Sequence, residues 1–147
     1  MTPEEHFRHL EAIYAAAPCN AYYEPRLAVS EGRAEIVIAV KPDFLHSAGA
    51  VHGSVYFKAL DDAAFFSANS VVPDVFVLTS SFQLYLLGPI TGGEMRAVGQ
   101  LVHQAKNHFI AESVLYDAAR NEVARGSGSF IKSKIPLKGL PSRGPLR

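Results

Sequence analysis

The segment from His52 to Ser70 limits what this chain can fold into more than any other. After Gly53 it contains neither glycine nor proline and is rich in Ala, Phe and Leu, so its pattern predicts one long helix. Val55, Ala59 and Ala63 fall on one face with Tyr56 and Leu60 beside them, while Phe57, Phe65 and Phe66 carry apolar surface round the other side. A helix that is apolar nearly all round is buried rather than laid on a surface. Something else in the chain must wrap it.

Downstream of Pro73 lie four β-rich runs: Val75 to Leu87, Met95 to Lys106, His108 to Ala119 and Val123 to Lys134. Gly88-Pro89, Gly92-Gly93, Lys106-Asn107 and Ala119-Arg120-Asn121 separate them, which predicts consecutive antiparallel strands. Upstream, Pro3 followed by Glu4 and Glu5 suits a helix start. Phe7, Leu10 and Tyr14 then recur at helical spacing as far as Pro18. Tyr22 to Val29 and Arg33 to Val40, joined by Ser30-Glu31-Gly32, predict a hairpin. Lys41 to Val51, with Pro42 and Gly49, reads as a loop. The result is an α+β domain in which a curved antiparallel sheet wraps a long central helix. Such a sheet has edges to hide, so dimerisation through sheet edges and helix ends is expected.

With 147 residues and 48% apolar content, one domain over residues 1–135 is the natural division. Three prolines and two glycines in the last stretch predict a flexible tail over 136–147. Fourteen Lys and Arg balance fourteen Asp and Glu, which argues against a nucleic-acid partner. No apolar run approaches the ~20 residues of a membrane span, and the start lacks a basic-then-apolar leader. A cytoplasmic protein without a membrane partner is expected. The single cysteine, Cys19, can close no internal disulfide, and no metal set can be built around it.

Two features of the long helix carry chemistry. The first is the pair Asp61-Asp62, placed in an otherwise apolar helix. Lys58, four residues before Asp62, is its natural partner, whereas the residues four away from Asp61 are Phe57 and Phe65. A carboxylate in aromatic surroundings is pushed towards its protonated form, which is how a general base is tuned. The alternative is that both acids occupy an exposed strip. The second feature is Gly53 at the first turn, where backbone N–H groups are unpaired and the dipole is positive. It can receive the oxygen of a carbonyl under attack, or it can serve as part of a cap in which His52 or Ser54 satisfies the turn.

The loop and helix entry read His46-Ser-Ala-Gly49-Ala-Val-His52-Gly53-Ser54, then six residues and Asp61. This resembles the signature of the hotdog-fold acyl-CoA thioesterases of the phenylacetyl-CoA thioesterase type. That signature is roughly Asn-x-x-Gly-x-x-His-Gly-Gly, six residues and a catalytic Asp on the central helix. The order of elements agrees over about residues 20 to 134. The resemblance implies hydrolysis of a small or medium acyl-CoA, with coenzyme A as part of the substrate and no separate cofactor. It implies that Asp61 activates water, that the Gly53 N–H polarises the thioester carbonyl, and that the site is shared across the interface of a dimer or tetramer. A hydroxyl on the strand after the helix falls at Thr79. His52, Ser54 and Phe57 would line the substrate, and Lys106 would sit near its phosphate end. Two positions depart from the pattern: His46 stands in place of Asn, and Ser54 in place of the second glycine.

Two other functions compete with hydrolysis. A hotdog hydratase or dehydratase would conscript His46 or His52 for proton transfer, but the loop such enzymes place before the helix is missing. A non-catalytic acyl-CoA binder would account for His46 and Ser54 as signs of lost activity. His6 and His9 are expected at the surface, as are His103 and His108 beside a hairpin turn. Gly126-Ser127-Gly128-Ser129 lacks the lysine of a phosphate loop and is read as a close-packed or bulged strand.

Overall fold

The computed structural model describes residues 1–143. The long helix, α3 (Gly53–Asn69), lies on the inner face of one six-stranded sheet. The strands are β1 (Arg26–Ser30), β2 (Arg33–Ala39), β3 (Val75–Leu86), β4 (Glu94–Gln104), β5 (His108–Tyr116) and β6 (Glu122–Pro136). Their order across the sheet is β1-β2-β4-β5-β6-β3, and each neighbouring pair is antiparallel. This is the hotdog arrangement. A first helix, α1 (Pro3–Ala16), packs beside β1 and the end of α3. Its start carries a capping box between Thr2 and Glu5, with Pro3 in the first turn, so two backbone donors are satisfied reciprocally.

The fit of helix to sheet is tightest at Gly99 on β4. A Cβ built there would stand 2.0 Å from the carbonyl oxygen of Ala63, so only hydrogen fits between strand and helix backbone. Next to it, the buried Ser113 hydroxyl on β5 donates to the Leu60 carbonyl at 2.8 Å. Around these contacts Leu60, Ile36, Ile38, Met95, Leu115, Phe109 and Phe130 are fully enclosed. The glycines of β6 act similarly one strand further on, since Cβ atoms at Gly126 and Gly128 would meet the Phe82 ring at 2.6 Å.

At its far end α3 is tied down by Asn69, which has no solvent exposure. Its amide nitrogen donates to Val72 O and Val75 O, its side-chain oxygen accepts from Val77 N, and its backbone carbonyl bonds His6 Nε2 at 2.9 Å. One residue therefore joins α3, β3 and α1, the first two through its side chain and the last through its carbonyl. His6 is buried here rather than at the surface, because its ring is the polar plug between α1 and that carbonyl.

Other expectations need correction. The segment from Tyr22 does not begin a strand: Asn20–Tyr23 form a short helical turn, α2, closed by Glu24 in the left-handed region (φ 50°), and β1 starts only at Arg26. Pro25 explains the delay, since it supplies no N–H to a ladder. The loop from Lys41 holds a single 3-10 turn at Pro42–Phe44 and a bridge between Leu45 and Val51. The segment expected as a loose tail from residue 136 lies against the body as far as Arg143. Leu137 is buried, and Arg143 bonds the carbonyls of Ala12 and Ala15. Residues 144–147 of that tail lie outside the described residues. Among the described residues no helix is long and apolar enough to cross a membrane.

Because Gly99 admits no Cβ, Gly99→Ala must push α3 off the sheet. We expect it to lower unfolding stability by about 3 kcal/mol or more. Denaturant titration of the two proteins measures this, and an unchanged midpoint would show that the helix can shift freely.

Candidate active site

Halfway along α3 the helix turns its polar residues away from the middle of the sheet, towards α1 and the edge strand β3. A cavity of about 180 Å³ opens there, lined by Asp61, Asp62 and Lys58 of α3, Tyr14 of α1, Cys19 and Asn20 beyond it, and Phe76 and Thr79 of β3. Phe65 and Phe66 complete its wall. The Thr79 hydroxyl donates to Asp61 Oδ1 at 3.0 Å. The two acids have different partners. Asp62 Oδ2 accepts from Lys58 Nζ at 2.7 Å and from the Tyr14 hydroxyl at 2.6 Å, whereas Asp61 has Thr79 and the aromatic wall.

The electrostatics follow from that division. Burial, and then the neighbouring Asp62 charge, push the Asp61 carboxyl up to about 6, against smaller opposing effects of the Thr79 hydrogen bond and Lys58. Asp61 is thus poised to exchange a proton near neutrality. Burial first, and then Asp62, also hold the Tyr14 phenol well above its ordinary range, so it stays protonated and remains a donor.

A second cluster forms where the loop enters α3. His52 is the N-cap, and its Nδ1 accepts from Ser54 N at 3.0 Å and lies 2.8 Å from the Ser54 hydroxyl. Val55 N is taken by the His52 carbonyl. The Gly53 N–H, first in the helix, has no intrahelical acceptor. A Cβ at Gly53 would meet only the tip of Leu86, at 3.1 Å. His46 Nδ1 accepts from Ala48 N at 3.0 Å, which leaves Nε2 as the protonated nitrogen of the neutral ring, free to donate.

The structure therefore brings Asp61 and Thr79 together, and His52, Gly53 and Ser54 form the other cluster, while the contacts of His46 stay within its own loop, with Ala48, Gly49 and Ala50. It does not join the two clusters within one chain. Asp61 stands eight positions after Gly53 on the helix, about 12 Å along the axis. Phe57, between them in sequence, is 40% exposed and packs edge-on against Phe82 at 5.4 Å. Lys106 is exposed in the β4–β5 turn and does not line the cavity. The sequence reading treated Tyr14 as a core residue and missed its place at the acids. The available signal was its hydroxyl, since a buried tyrosine needs a hydrogen-bond partner. Among the described residues no three His, Cys, Asp or Glu side chains gather as metal ligands.

The model of the thioesterase superfamily matches residues 48–124, which takes in the end of the loop, α3, β3 with Thr79, β4, β5 and the start of β6. This chain belongs to the thioesterase superfamily. Among solved structures it is similar to the E. coli PaaI protein from the phenylacetic acid degradation operon, at 20% identity. That likeness covers 92% of this chain and 99% of the other with a TM-score of 0.84. A thioesterase family protein from Silicibacter pomeroyi is also 20% identical, covering 89% of this chain and 98% of that one at a TM-score of 0.80. A protein of Saccharolobus solfataricus whose name calls it an assumed esterase is 23% identical over 112 residues, 75% of this chain and 80% of that one. The two structural likenesses show the fold.

Because the folded-state value of Asp61 is raised, ionising it costs stability. The cost is absent near pH 4, grows as pH rises through about 6 and is complete above it. We expect Asp61→Asn to stabilise the protein above pH 7 by on the order of 2 kcal/mol, with the gain fading towards pH 4. Thermal melts across that range test the sign, and a destabilised variant at pH 8 would refute it.

Proposed function

We propose that the protein hydrolyses the thioester of a small or medium acyl-CoA, with Asp61 as general base. The observation that carries this reading is the Asp61 carboxyl, raised to about 6, braced by Thr79 and facing an aromatic cavity. In the proposed step a water gives its proton to Asp61 while its oxygen attacks the thioester carbonyl carbon. The carbonyl oxygen becomes an oxyanion, held by a backbone N–H at a helix start. Collapse breaks the carbon–sulfur bond, and the departing coenzyme A thiolate takes the proton back from Asp61. The products are the free acid and coenzyme A, and the scheme uses no metal or prosthetic group. His46 Nε2, free to donate, supplies a second hydrogen bond at the oxyanion end.

The acyl group would face Phe65, Phe66, Phe76 and Tyr14, which suits an aromatic or aliphatic chain. A further recess of about 250 Å³, lined by Ile13, Ala16, Pro18, Ile135 and Leu140, adjoins the cavity at Ala17 and Phe76, so chains longer than the cavity have somewhere to go.

In this reading the oxyanion donor comes from a second copy, because Gly53 and Asp61 lie about 12 Å apart along one helix. Strand β3 supports this reading. It is an edge strand of twelve residues, and Leu78, Tyr85 and Leu86, with Leu87 beyond it, leave 41%, 61%, 56% and 57% of their surfaces exposed. An edge so long and apolar needs a partner, and a copy paired there antiparallel would bring its own Gly53 towards this chain's Asp61.

Release of free thiol from a panel of acyl-CoAs tests the activity. We expect an acid limb near pH 6, from ionisation of Asp61, and a 10²- to 10⁴-fold loss in Asp61→Asn. Saturable binding without thiol release would instead mark a binding protein. The shared site has its own test in mixed dimers. Gly53→Pro removes the N–H at a helix position where proline is tolerated. We expect Gly53→Pro and Asp61→Asn each to be nearly inactive alone, and mixed dimers of the two to regain activity at one complete site. Mixed dimers as dead as their parents would place both residues in one chain's site.

A further inference from the structure

We infer that Asp62, clamped by Tyr14 and Lys58, is a positioning residue for Asp61: it holds the pocket's cation to itself and leaves Asp61 as the acid that exchanges the proton. The inference rests on the reading of Asp61 as general base, and it assigns work to Asp62 and Lys58, which take no part in the scheme above, and a second task to Tyr14.

The geometry carries it. Asp61 and Asp62 are adjacent on α3 and line the same cavity, so their charges disfavour each other and one of the two must give way. The groups around Asp61 that titrate or carry charge are Lys58 and Asp62 from α3, Tyr14 from α1 and Cys19 from the segment after it, while β3 contributes the neutral Thr79 hydroxyl. All the strong donors go to Asp62. Lys58 Nζ reaches it at 2.7 Å and the Tyr14 hydroxyl at 2.6 Å, and the side chains of Lys58 and Asp62 are only 15% and 16% exposed. Lys58 has little freedom to turn elsewhere. Its ammonium sits 5.2 Å from the centres of both the Tyr14 and Tyr23 rings and 3.7 Å from Cys19 Sγ, so aromatic faces hold it from two sides. Asp62 is therefore held by a cation and a phenol at once. Asp61, with a single neutral donor, feels the Asp62 charge from the adjoining position. Two carboxyl groups whose surroundings differ in this way take different parts in proton exchange.

The clamp also explains why α1 belongs to the site. Tyr14 reaches Asp62 from 48 residues away, so the docking of α1 and the charge state of the pocket depend on each other.

Two substitutions move Asp61 in opposite directions. In Asp62→Asn the neighbouring anion disappears and Lys58 is freed to reach Asp61, so Asp61 should hold its proton less tightly. In Lys58→Met the cation is lost while both carboxyl groups remain, so the first proton of the pair should be held more tightly. We expect the acid limb of kcat/KM to fall by roughly one pH unit in Asp62→Asn and to rise by a similar amount in Lys58→Met. Rates for Asp62→Asn on the high-pH plateau should stay within about ten-fold of wild type. The companion readout is the carboxyl carbon of Asp61 followed by NMR across the same pH range, which does not depend on turnover. If the Asp61 titration stays put in both variants, or moves the same way in both, the clamp is structural only and the inference is overturned. If Asp61 moves in the two stated directions in a protein that hydrolyses no thioester, the clamp stands and the reading of the previous subsection falls.

Discussion

The contact between Gly99 of β4 and the backbone of α3 at Ala63 is the constraint from which the rest of the molecule follows. With no side chain at Gly99, helix and strand meet backbone to backbone, and the helix sinks deep enough for Ser113 to reach the Leu60 carbonyl. That depth decides which residues of α3 can be polar. Ala59, Leu60 and Ala63 face the sheet and are enclosed, while Lys58, Asp61 and Asp62 point to the side that α1 and β3 close. Were α3 raised by the width of a methyl group, Thr79 would lose its place beside Asp61 and Tyr14 its reach to Asp62. Packing at one glycine thus determines where the charges stand.

The fold was largely legible because its strongest signal was composition along one helix. A segment apolar on all sides can only be wrapped, and the turn residues between the later runs marked the strands within three residues at each end. What escaped was contact without periodicity. Gly99 lies in the run read as β4, and nothing beside it announces a helix backbone 2.0 Å from its missing Cβ. His6 looked like a surface histidine because its partner, the Asn69 carbonyl, is 63 residues away. The short helical turn at Asn20–Tyr23 was hidden by two tyrosines that favour strands as readily.

The candidate site was legible in part for the same reason. Asp61 stood out because its neighbours on the helix are aromatic, and Lys58 could be assigned to Asp62 from spacing alone. Tyr14 could not, since its hydroxyl meets Asp62 only after α1 docks. The cluster at His52 and Gly53 was visible as a motif, but its separation from Asp61 is a matter of helix length, which turns a motif of one chain into a question about two.

Strand β3 has a further consequence, for the order in which the molecule assembles during synthesis. It follows α3 directly, yet among the described residues its only neighbour in the sheet is β6, the last strand, with Thr79 opposite Phe130. While the ribosome is still making β4 and β5, the hydroxyl that braces Asp61 belongs to a strand with nothing to pair with. Pairings of such long sequence separation form late, and an unpaired strand in an incomplete chain is open to wrong partners. The nascent chain can therefore seat its helix early against β2 and β4, but the candidate site takes shape only as the final strand arrives.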